Sequence, residues 1–237
     1  MSLARQFNTR PLYQQVADEF ISRIVTGTWV PGQPIENEAD IARSLGISLG
    51  TARKAFDILV DLKLLDRQQG KGTVVSDPEF GRAGHRFSNI CDRPGRRISG
   101  EITIIDPRIE TPSPRTAELL EINVRTPILA FGRIRSHEGR VFMTEAVQFR
   151  VDSSVHAMTP AELEAVARRR WVGSDLAVRK RETVTVGTCD AEAAATLKIS
   201  EGTPVLRLQR VILSYQERPL EVRDAVCYLG DNLHYAC

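Results

Sequence analysis

The chain has 237 residues, 42% of them hydrophobic and 26% charged, a composition typical of folded globular proteins and not of disordered or collagen-like ones. This length corresponds to one large domain or two modest ones. The formal net charge is only +2, so a nucleic-acid partner has to be inferred from local patterns. No uncharged stretch approaches the roughly 18 apolar residues of a membrane span, and we expect neither a secretion signal nor a membrane partner.

The cysteines disfavour a metal-binding or disulfide-rich scaffold. Cys91, Cys189, Cys227 and Cys237 form no C-x-x-C pair and have no histidine at ligand spacing. We therefore expect reduced thiols in the cytoplasm, and neither a metal site nor a cofactor.

Three helices and a hairpin are predicted within residues 1–76. Pro11 suits the first position of a helix with an apolar stripe at Leu12, Val16, Phe20 and Ile24. Asn37 is a predicted N-cap for the second helix, which Gly46 ends. Ser48 is predicted to cap the third helix, whose buried side is Ala52, Ala55, Phe56, Leu59 and Leu62.

Two short helices joined across Gly46 are typical of a helix-turn-helix, and the apolar segments around Gln69-Gly70-Lys71-Gly72 predict a hairpin, or wing. Nine basic and eight acidic side chains occur in residues 1–76, so any affinity for DNA depends on where particular cations point. The candidate DNA-binding residues are Ser48, Leu49, Gly50, Thr51, Arg53, Lys54, Gly70 and Lys71.

Residues 11–75 resemble the winged helix-turn-helix domain of GntR-family transcription regulators. The motifs shared in order and spacing are Pro11-Leu12-Tyr13, Pro31-Gly32, Gly46-Ile47-Ser48, Thr51-x-Arg53, Leu64-Leu65 and Gly70-x-Gly72-Thr73. The resemblance implies that Ser48, Thr51, Arg53 and Gly70 contact DNA. Two family arginines are replaced, because Glu36-Asn37-Glu38-Ala39 stands where the family has Pro-Ser-Glu-Arg and Leu49 stands where it has arginine. These departures affect the expected operator sequence and leave the expectation of DNA binding in place.

Gly46-Ile47-Ser48-Leu49-Gly50 also matches the G-x-S-x-G nucleophile elbow of α/β-hydrolases. That elbow requires a buried strand before the serine. Residues 37–45 are instead rich in helix formers, which disfavours the hydrolase interpretation.

Residues 77–100 are rich in glycine, proline and arginine and are expected to form a linker between two domains. Its arginines are interpreted either as solvated charges or as contacts to phosphates between two half-sites. Residues 101–237 then mix helix and strand patterns, which predicts an α+β domain with an antiparallel sheet and helices.

An internal repeat appears at an offset of 77 residues. Segments containing Thr126-Pro127 and Thr203-Pro204 share a helix, a short turn, a strand and a hairpin, and Arg133 aligns with Arg210. We interpret this similarity as a duplication.

Residues 87–233 resemble the UTRA effector-binding domain of the HutC-type branch of the GntR family, whose fold is akin to chorismate lyase. The motifs that carry the resemblance are Arg133-x-Arg135, Glu145, Thr203-Pro204-Val205-Leu206, Arg210 and Gly230-Asp231. The resemblance implies that Arg133, Arg135 and Glu145 line an effector pocket, with Tyr228 in place of a family tyrosine. Residues 161–181 depart from the family pattern.

Arg133 and Arg135 are two apart on a predicted strand, so they share one face, where two guanidinium forks suit a carboxylate or a phosphate. The alternative is a surface strand whose arginines pair with Glu145 across the hairpin. Arg210 and Glu221, the expected repeat partners, are weaker candidates for the same pocket.

The sequence therefore predicts a homodimeric transcription regulator, most simply a repressor, that binds double-stranded operator DNA and a small, anionic effector. Two alternatives remain open: an enzyme of chorismate-lyase-like fold with a DNA-binding head, and an architectural DNA binder without an effector.

Overall fold

The computed structural model describes residues 10–76, 87–151, 158–168, 177–214 and 217–236. The chain forms two compact units, Met1–Ala83 and Gly84–Cys237. Within the described ranges, none of the helices is long and apolar enough to cross a membrane.

The first unit contains three helices and a two-stranded hairpin. Helices α1, α2 and α3 span Leu12–Val25, Glu38–Leu45 and Leu49–Asp61, and strands β1 and β2 span Leu65–Gln68 and Gly72–Val75. The helix-turn-helix and the wing are therefore both present, with β1 and β2 antiparallel.

The two predicted caps at the helix-turn-helix are confirmed. The Asn37 side chain accepts hydrogen bonds from the N–H groups of Ala39 and Asp40, and the Ser48 hydroxyl accepts one from the N–H of Thr51. Gly46 ends α2 in the left-handed conformation with a φ of 63°. These caps satisfy orphan N–H groups and fix where α3 begins.

The apolar stripe predicted for α1 is partly wrong. The buried residues of α1 are Val16, Ala17, Phe20 and Ile21, whereas Leu12 is 53% exposed. An α-helix turns in fewer than four residues, so a stripe of every fourth residue drifts around the helix. The face of α1 that packs on α3 instead follows an i, i+1, i+4 pattern.

The second unit contains a six-stranded antiparallel sheet in the order β4-β5-β6-β9-β8-β7. The strands are β4 Glu101–Glu110, β5 Ile128–His137, β6 Arg140–Arg150, β7 Ala177–Thr188, β8 Pro204–Ser214 and β9 Pro219–Cys227. Three helices accompany them: α4 Pro114–Leu120, α5 Pro160–Arg168 and α6 Ala191–Leu197. The predicted α+β class is confirmed.

The strand order reflects the predicted duplication. Each half is a strand, a helix and a hairpin, namely β4-α4-β5-β6 and β7-α6-β8-β9, and the halves meet where β6 pairs with β9. The register places Arg133 between Ile104 and Glu145, and Arg210 between Glu182 and Arg223. The residue equivalent to Glu145 is therefore Arg223, which corrects the expectation that it is Glu221.

The two faces of the sheet are covered differently. Helices α4 and α6 pack on one face through Leu120 and Leu197. On the other face, Leu163 of α5 packs against Phe131 near the β4 edge. The same face is covered elsewhere by a ribbon of β3, Ile90–Asp92, paired with β10, Leu233–Tyr235.

The ribbon corrects the linker expected at 77–100. Ile90, Cys91 and Ile98 are buried, so residues 87–100 are part of the second unit, while 77–86 lie outside the described residues. The run of glycine, proline and arginine concealed a strand of only three residues, which pairs with a segment more than 130 residues away. Residues 169–176 of the segment 161–181, which departs from the family pattern, also lie outside the described residues.

Gly100 lies between the ribbon and β4, and a substitution at this glycine tests how closely the two are packed. Its φ is +74°, and an added Cβ would lie 2.6 Å from the Ser136 carbonyl oxygen and 2.7 Å from Phe142. We expect Gly100→Ala to lower the free energy of unfolding by about 2–5 kcal/mol, because a left-handed non-glycine residue costs about 1–2 kcal/mol and overpacking about 1–3 kcal/mol. Chemical denaturation measures the change.

Gly202→Ala is the matched control, because Gly202 has a φ of +80° and nothing within 4 Å of the added Cβ. It should cost only the strain of a left-handed residue, about 1–2 kcal/mol. Equal losses in the two variants would contradict the close packing inferred at Gly100.

Candidate functional site

The candidate DNA-binding residues lie at the start of α3 and at the tip of the wing. Ser48, Leu49 and Gly50 are exposed, and Leu49, the first residue of α3, is 44% exposed although it is apolar. Gly70 has a φ of 79° in the wing turn, where Lys71 is also exposed. The side chains of Ser48 and Thr51 are hydrogen-bonded to each other, since their hydroxyl oxygens lie 2.8 Å apart.

Glu38 of α2 holds two of the cations of this surface. Arg53 Nε donates to Glu38 Oε2 at 2.9 Å, and Arg67 Nη2 donates to Glu38 Oε1 at 2.8 Å. Arg67 also donates to Asp57 at 2.7 Å, and its hydrogen bonds to Asp57 and Glu38 outweigh burial and raise its pKa. Arg53 remains 60% exposed at its side chain, so the contact orients the guanidinium without burying it.

Lys54, the neighbouring candidate, points elsewhere. Its Nζ lies 5.5 Å from the centroid of the Tyr13 ring of α1, which is a cation–π distance. At the start of α3, Arg53 is therefore oriented by its hydrogen bond to Glu38, whereas Lys54 lies against α1.

The second unit contains a buried ionic cluster on the sheet face that carries α5 and the ribbon. Its members come from four strands, β5, β6, β8 and β9, with one further carboxylate from β7. They are Arg133, Arg135, Glu145, Glu182, Arg210, Glu221 and Arg223. The four arginines are each 2–4% exposed.

Glu145 lies at the centre of the ionic cluster. Its Oε2 accepts hydrogen bonds from Arg133 Nε at 2.6 Å and from Arg135 Nε at 2.8 Å. Arg135 also donates to the Ser99 carbonyl oxygen at 2.8 Å, which ties β5 to the segment before β4. The predicted convergence of Arg133 and Arg135 on one face is present, and their pairing with Glu145 is buried, unlike the surface alternative.

A second group of contacts extends the ionic cluster toward the ribbon. Arg210 Nε donates to Glu182, whose other oxygen accepts from Lys180 Nζ at 2.8 Å, from Asn89 at 3.1 Å and from the Tyr235 hydroxyl. Arg223 Nε donates to Glu221 on its own strand.

Three polar atoms of the ionic cluster are buried without a hydrogen-bond partner among the described residues. They are Arg133 Nη2, Arg210 Nη2 and Glu145 Oε1. Arg133 Nη2 lies 3.7 Å from Glu221, and Glu145 Oε1 lies 3.8 Å from Arg210 Nη1, both beyond hydrogen-bond length. A buried donor or acceptor without a partner costs about 1–3 kcal/mol, so these three atoms leave the polar groups of the cluster incompletely satisfied.

The electrostatics of the ionic cluster favour an anion. Burial disfavours the charged form of Glu145, but Arg133, Arg135 and Arg223 outweigh burial and hold the pKa of Glu145 well below its usual range. Burial, aided by the charges of Arg133 and Arg223, lowers the pKa of Arg135 to about 9, which leaves its guanidinium charged at neutral pH. Four guanidinium groups thus face three carboxylates, and the cluster carries excess positive charge.

The structure does not bring Tyr228 to the ionic cluster. Tyr228 follows β9 on the opposite side, packs beside Leu197 of α6 and lines a separate cavity of about 210 Å³. Tyr235 of the ribbon is the tyrosine that reaches the cluster, through Glu182. The sequence pattern did not show which of the two tyrosines belongs to the cluster, because the strand that carries Tyr235, β10, is only three residues long and too short to be predicted.

Arg223 and Glu182 were missed by the sequence analysis. The missing signal was strand register, because Arg223 aligns with Glu145 only when the hairpin pairing is known. Glu182 aligns with Ile104 in the other half, so the repeat gave no reason to select it.

The comparisons with known proteins agree with the two units. Residues 12–75 match the family model described as bacterial regulatory proteins, gntR family, and residues 96–232 match the UTRA domain. This chain is a UTRA-containing regulator of the GntR family.

Named relatives of this regulator are repressors. It is 25% identical to the HTH-type transcriptional repressor NagR of Bacillus subtilis over 95% of this chain and 94% of the relative. It is 35% identical to the histidine utilization repressor of Pseudomonas aeruginosa over 35% of this chain and 33% of the relative. These relatives are regulators, so the enzyme alternative is not supported.

A solved structure has the same fold as the second unit. The ligand-binding domain of a GntR-family regulator from Bordetella bronchiseptica superposes with a TM-score of 0.54 at 21% identity, covering 64% of this chain and 96% of that domain.

The position of Arg53 generates a prediction about operator recognition. Arg53→Ala should weaken operator binding by about 1–3 kcal/mol and reduce discrimination against nonspecific DNA, because the family resemblance implies that this guanidinium contacts DNA. Fluorescence anisotropy with operator and scrambled duplexes measures both affinities. Arg43→Ala is the control: Arg43 is 78% exposed and pairs with Asp40 within α2, so the ratio of the two affinities should be retained.

Leu49 generates a second prediction about the operator. Leucine has no hydrogen-bonding group for guanine but packs on a thymine methyl, so we expect an A·T pair at the step that it contacts. Leu49→Arg should shift that preference toward guanine. Selection of bound sites from a random DNA pool compares the two proteins, and identical preferred sequences would refute a base contact by Leu49.

Proposed function

We propose that this regulator is a homodimeric, cytoplasmic repressor that leaves its operator when a small anionic effector binds in the ionic cluster. The observation that carries this proposal is the coincidence of two unpartnered arginine nitrogens, on Arg133 and Arg210, with excess positive charge in a buried site. A carboxylate or phosphate oxygen would complete both guanidinium groups.

Glu145 adds a requirement on the effector. Its Oε1 is a buried acceptor without a partner among the described residues, and it lies 3.8 Å from Nη1 of Arg210. An effector with an N–H or O–H donor next to its anionic group satisfies all three atoms. Amino acids, hydroxy acids and sugar phosphates have this combination, whereas simple fatty acids lack the donor.

DNA recognition is proposed to use α3 and the wing of both copies. One head offers few phosphate contacts, so useful affinity requires two half-sites roughly one helical turn or a little more apart. Effector binding then changes the spacing of the two heads, a coupling that is typically worth about 1–3 kcal/mol. An architectural DNA binder would show no such coupling.

The proposal is tested first by a ligand screen. Thermal shift of the full chain against amino acids, hydroxy acids, sugar phosphates and fatty acids should select a compound that carries both an anion and a donor. The selected compound should also release the protein from operator DNA in a gel-shift assay. If no compound stabilises the protein and none releases DNA, the architectural alternative replaces the proposal.

Variants of the ionic cluster then locate the effector. Arg133→Lys keeps the charge but removes the guanidinium fork, and should weaken effector binding at least about ten-fold, or 1.4 kcal/mol, while operator affinity is retained. Glu145→Gln should also weaken the response. Isothermal titration calorimetry measures the first effect and gel shift the second.

Arg125→Ala is the control for these variants, because Arg125 is exposed and is not a member of the ionic cluster. It should bind effector as the parent protein does. A parent-like response in both Arg133→Lys and Glu145→Gln would place the effector elsewhere in the second unit.

A further inference from the structure

The C-terminal half of strand β7 presents an uncharged, exposed edge. Strand β7 is an outer strand of the six-stranded sheet, and its last six residues are Thr183-Val184-Thr185-Val186-Gly187-Thr188. Val186 is 79% exposed and Val184 is 39% exposed. A long edge strand of β-branched residues without charge is a template for pairing with another strand.

The opposite edge of the same sheet is protected. Strand β4 occupies the position equivalent to β7 in the other half, and it contains Pro107, which cannot donate to a ladder, beside a bulge between Ile105 and Arg108. Asp106 has a φ of 48° there, and Arg108 pairs with Asp106 and Glu110. In β7 the corresponding features, a bulge between Ala177 and Arg179 and a run of charges, are confined to the first half of the strand, so the segment from Thr183 to Thr188 is left without them.

We propose that the β7 edge pairs with the β7 edge of a second copy of this chain. Antiparallel pairing about a two-fold axis through Thr183–Thr188 buries Val184 and Val186 of both copies and joins the two sheets. It rests on the homodimer of the proposed function and names the surface that forms it.

Charge complementarity at the ends of the run supports a second copy as the partner. The exposed Arg181 precedes the run and the exposed Glu192 follows it, whereas Arg179 and Lys180 pair with Glu217 and Glu182 and Asp190 lies near Arg207. Two-fold antiparallel pairing brings the segment before the run in one chain alongside the segment after the run in its partner. Opposite charges therefore meet at both ends, while no charges meet within the run.

The same strand contributes to the ionic cluster. Glu182 of β7 binds Arg210, and it is adjacent to Thr183, the first residue of the run. An effector that draws Arg210 away from Glu182 changes a contact at the start of the dimer strand. Effector binding in the ionic cluster therefore acts on the proposed dimer interface through Glu182.

Sedimentation equilibrium of the full chain tests the proposal with three substitutions. Val186→Lys and Val186→Glu should each raise the dimer dissociation constant at least about ten-fold, because like charges meet near the axis. An equimolar mixture of the two should regain the dimer, because opposite charges then meet. Ile105→Lys places the same charge at an exposed position on β4 and should leave the dimer unchanged.

Each outcome decides between the parts of the proposal. Weakened dimers of both Val186 variants, recovery on mixing and unchanged melting temperatures support the β7 interface. A dimer as tight as the parent in both Val186 variants overturns this interface and leaves the proposed repressor intact. A parent protein that is monomeric when bound to its operator overturns the homodimer itself.

Discussion

A buried guanidinium group costs several kcal/mol unless carboxylates and hydrogen bonds compensate it, and the second unit buries four on one sheet face. Glu145 makes this possible in the first half, because one of its oxygens accepts from both Arg133 and Arg135. Glu145 in turn depends on these arginines to remain ionised in the interior. Removing one partner would leave an uncompensated buried charge. The stability of the sheet and of the elements packed on that face therefore depends on the whole ionic cluster.

The difference between the two similar halves of the sheet explains why the compensation is incomplete. In the first half the register pairs Arg133 with Glu145, whereas in the second half it pairs Arg210 with Arg223. Like charges opposite each other are unfavourable, so each of these two arginines pairs with another carboxylate. Arg210 pairs with Glu182 on β7, and Arg223 pairs with Glu221 on its own strand. The excess positive charge follows from this one difference between the halves.

In the first unit, Glu38 also pairs with two arginines, but with a small desolvation cost. It contacts Arg53 and Arg67 at a largely exposed surface, where a single ion pair contributes about 0–1 kcal/mol. Such a contact is too weak to stabilise the fold, but it selects one direction for a flexible side chain. A binding surface with near-neutral total charge can thereby present its cations in a defined geometry.

The sequence by itself determined the local elements and the family. Caps such as Asn37 and Ser48, the glycines at the turns and the Thr-Pro repeat act over a few residues, so they can be read without the fold. The face shared by Arg133 and Arg135 was predictable for the same reason, because alternation along a strand is a local property. Only the tertiary structure decided which residues join them. Strand register made Arg223 the equivalent of Glu145 and added it to the cluster beside Glu221. Pairing of distant segments turned an expected linker into the ribbon, and the ribbon brought Tyr235 rather than Tyr228 toward the ionic cluster. These outcomes depend on contacts between residues far apart in the chain, and neither spacing nor periodicity encodes such contacts.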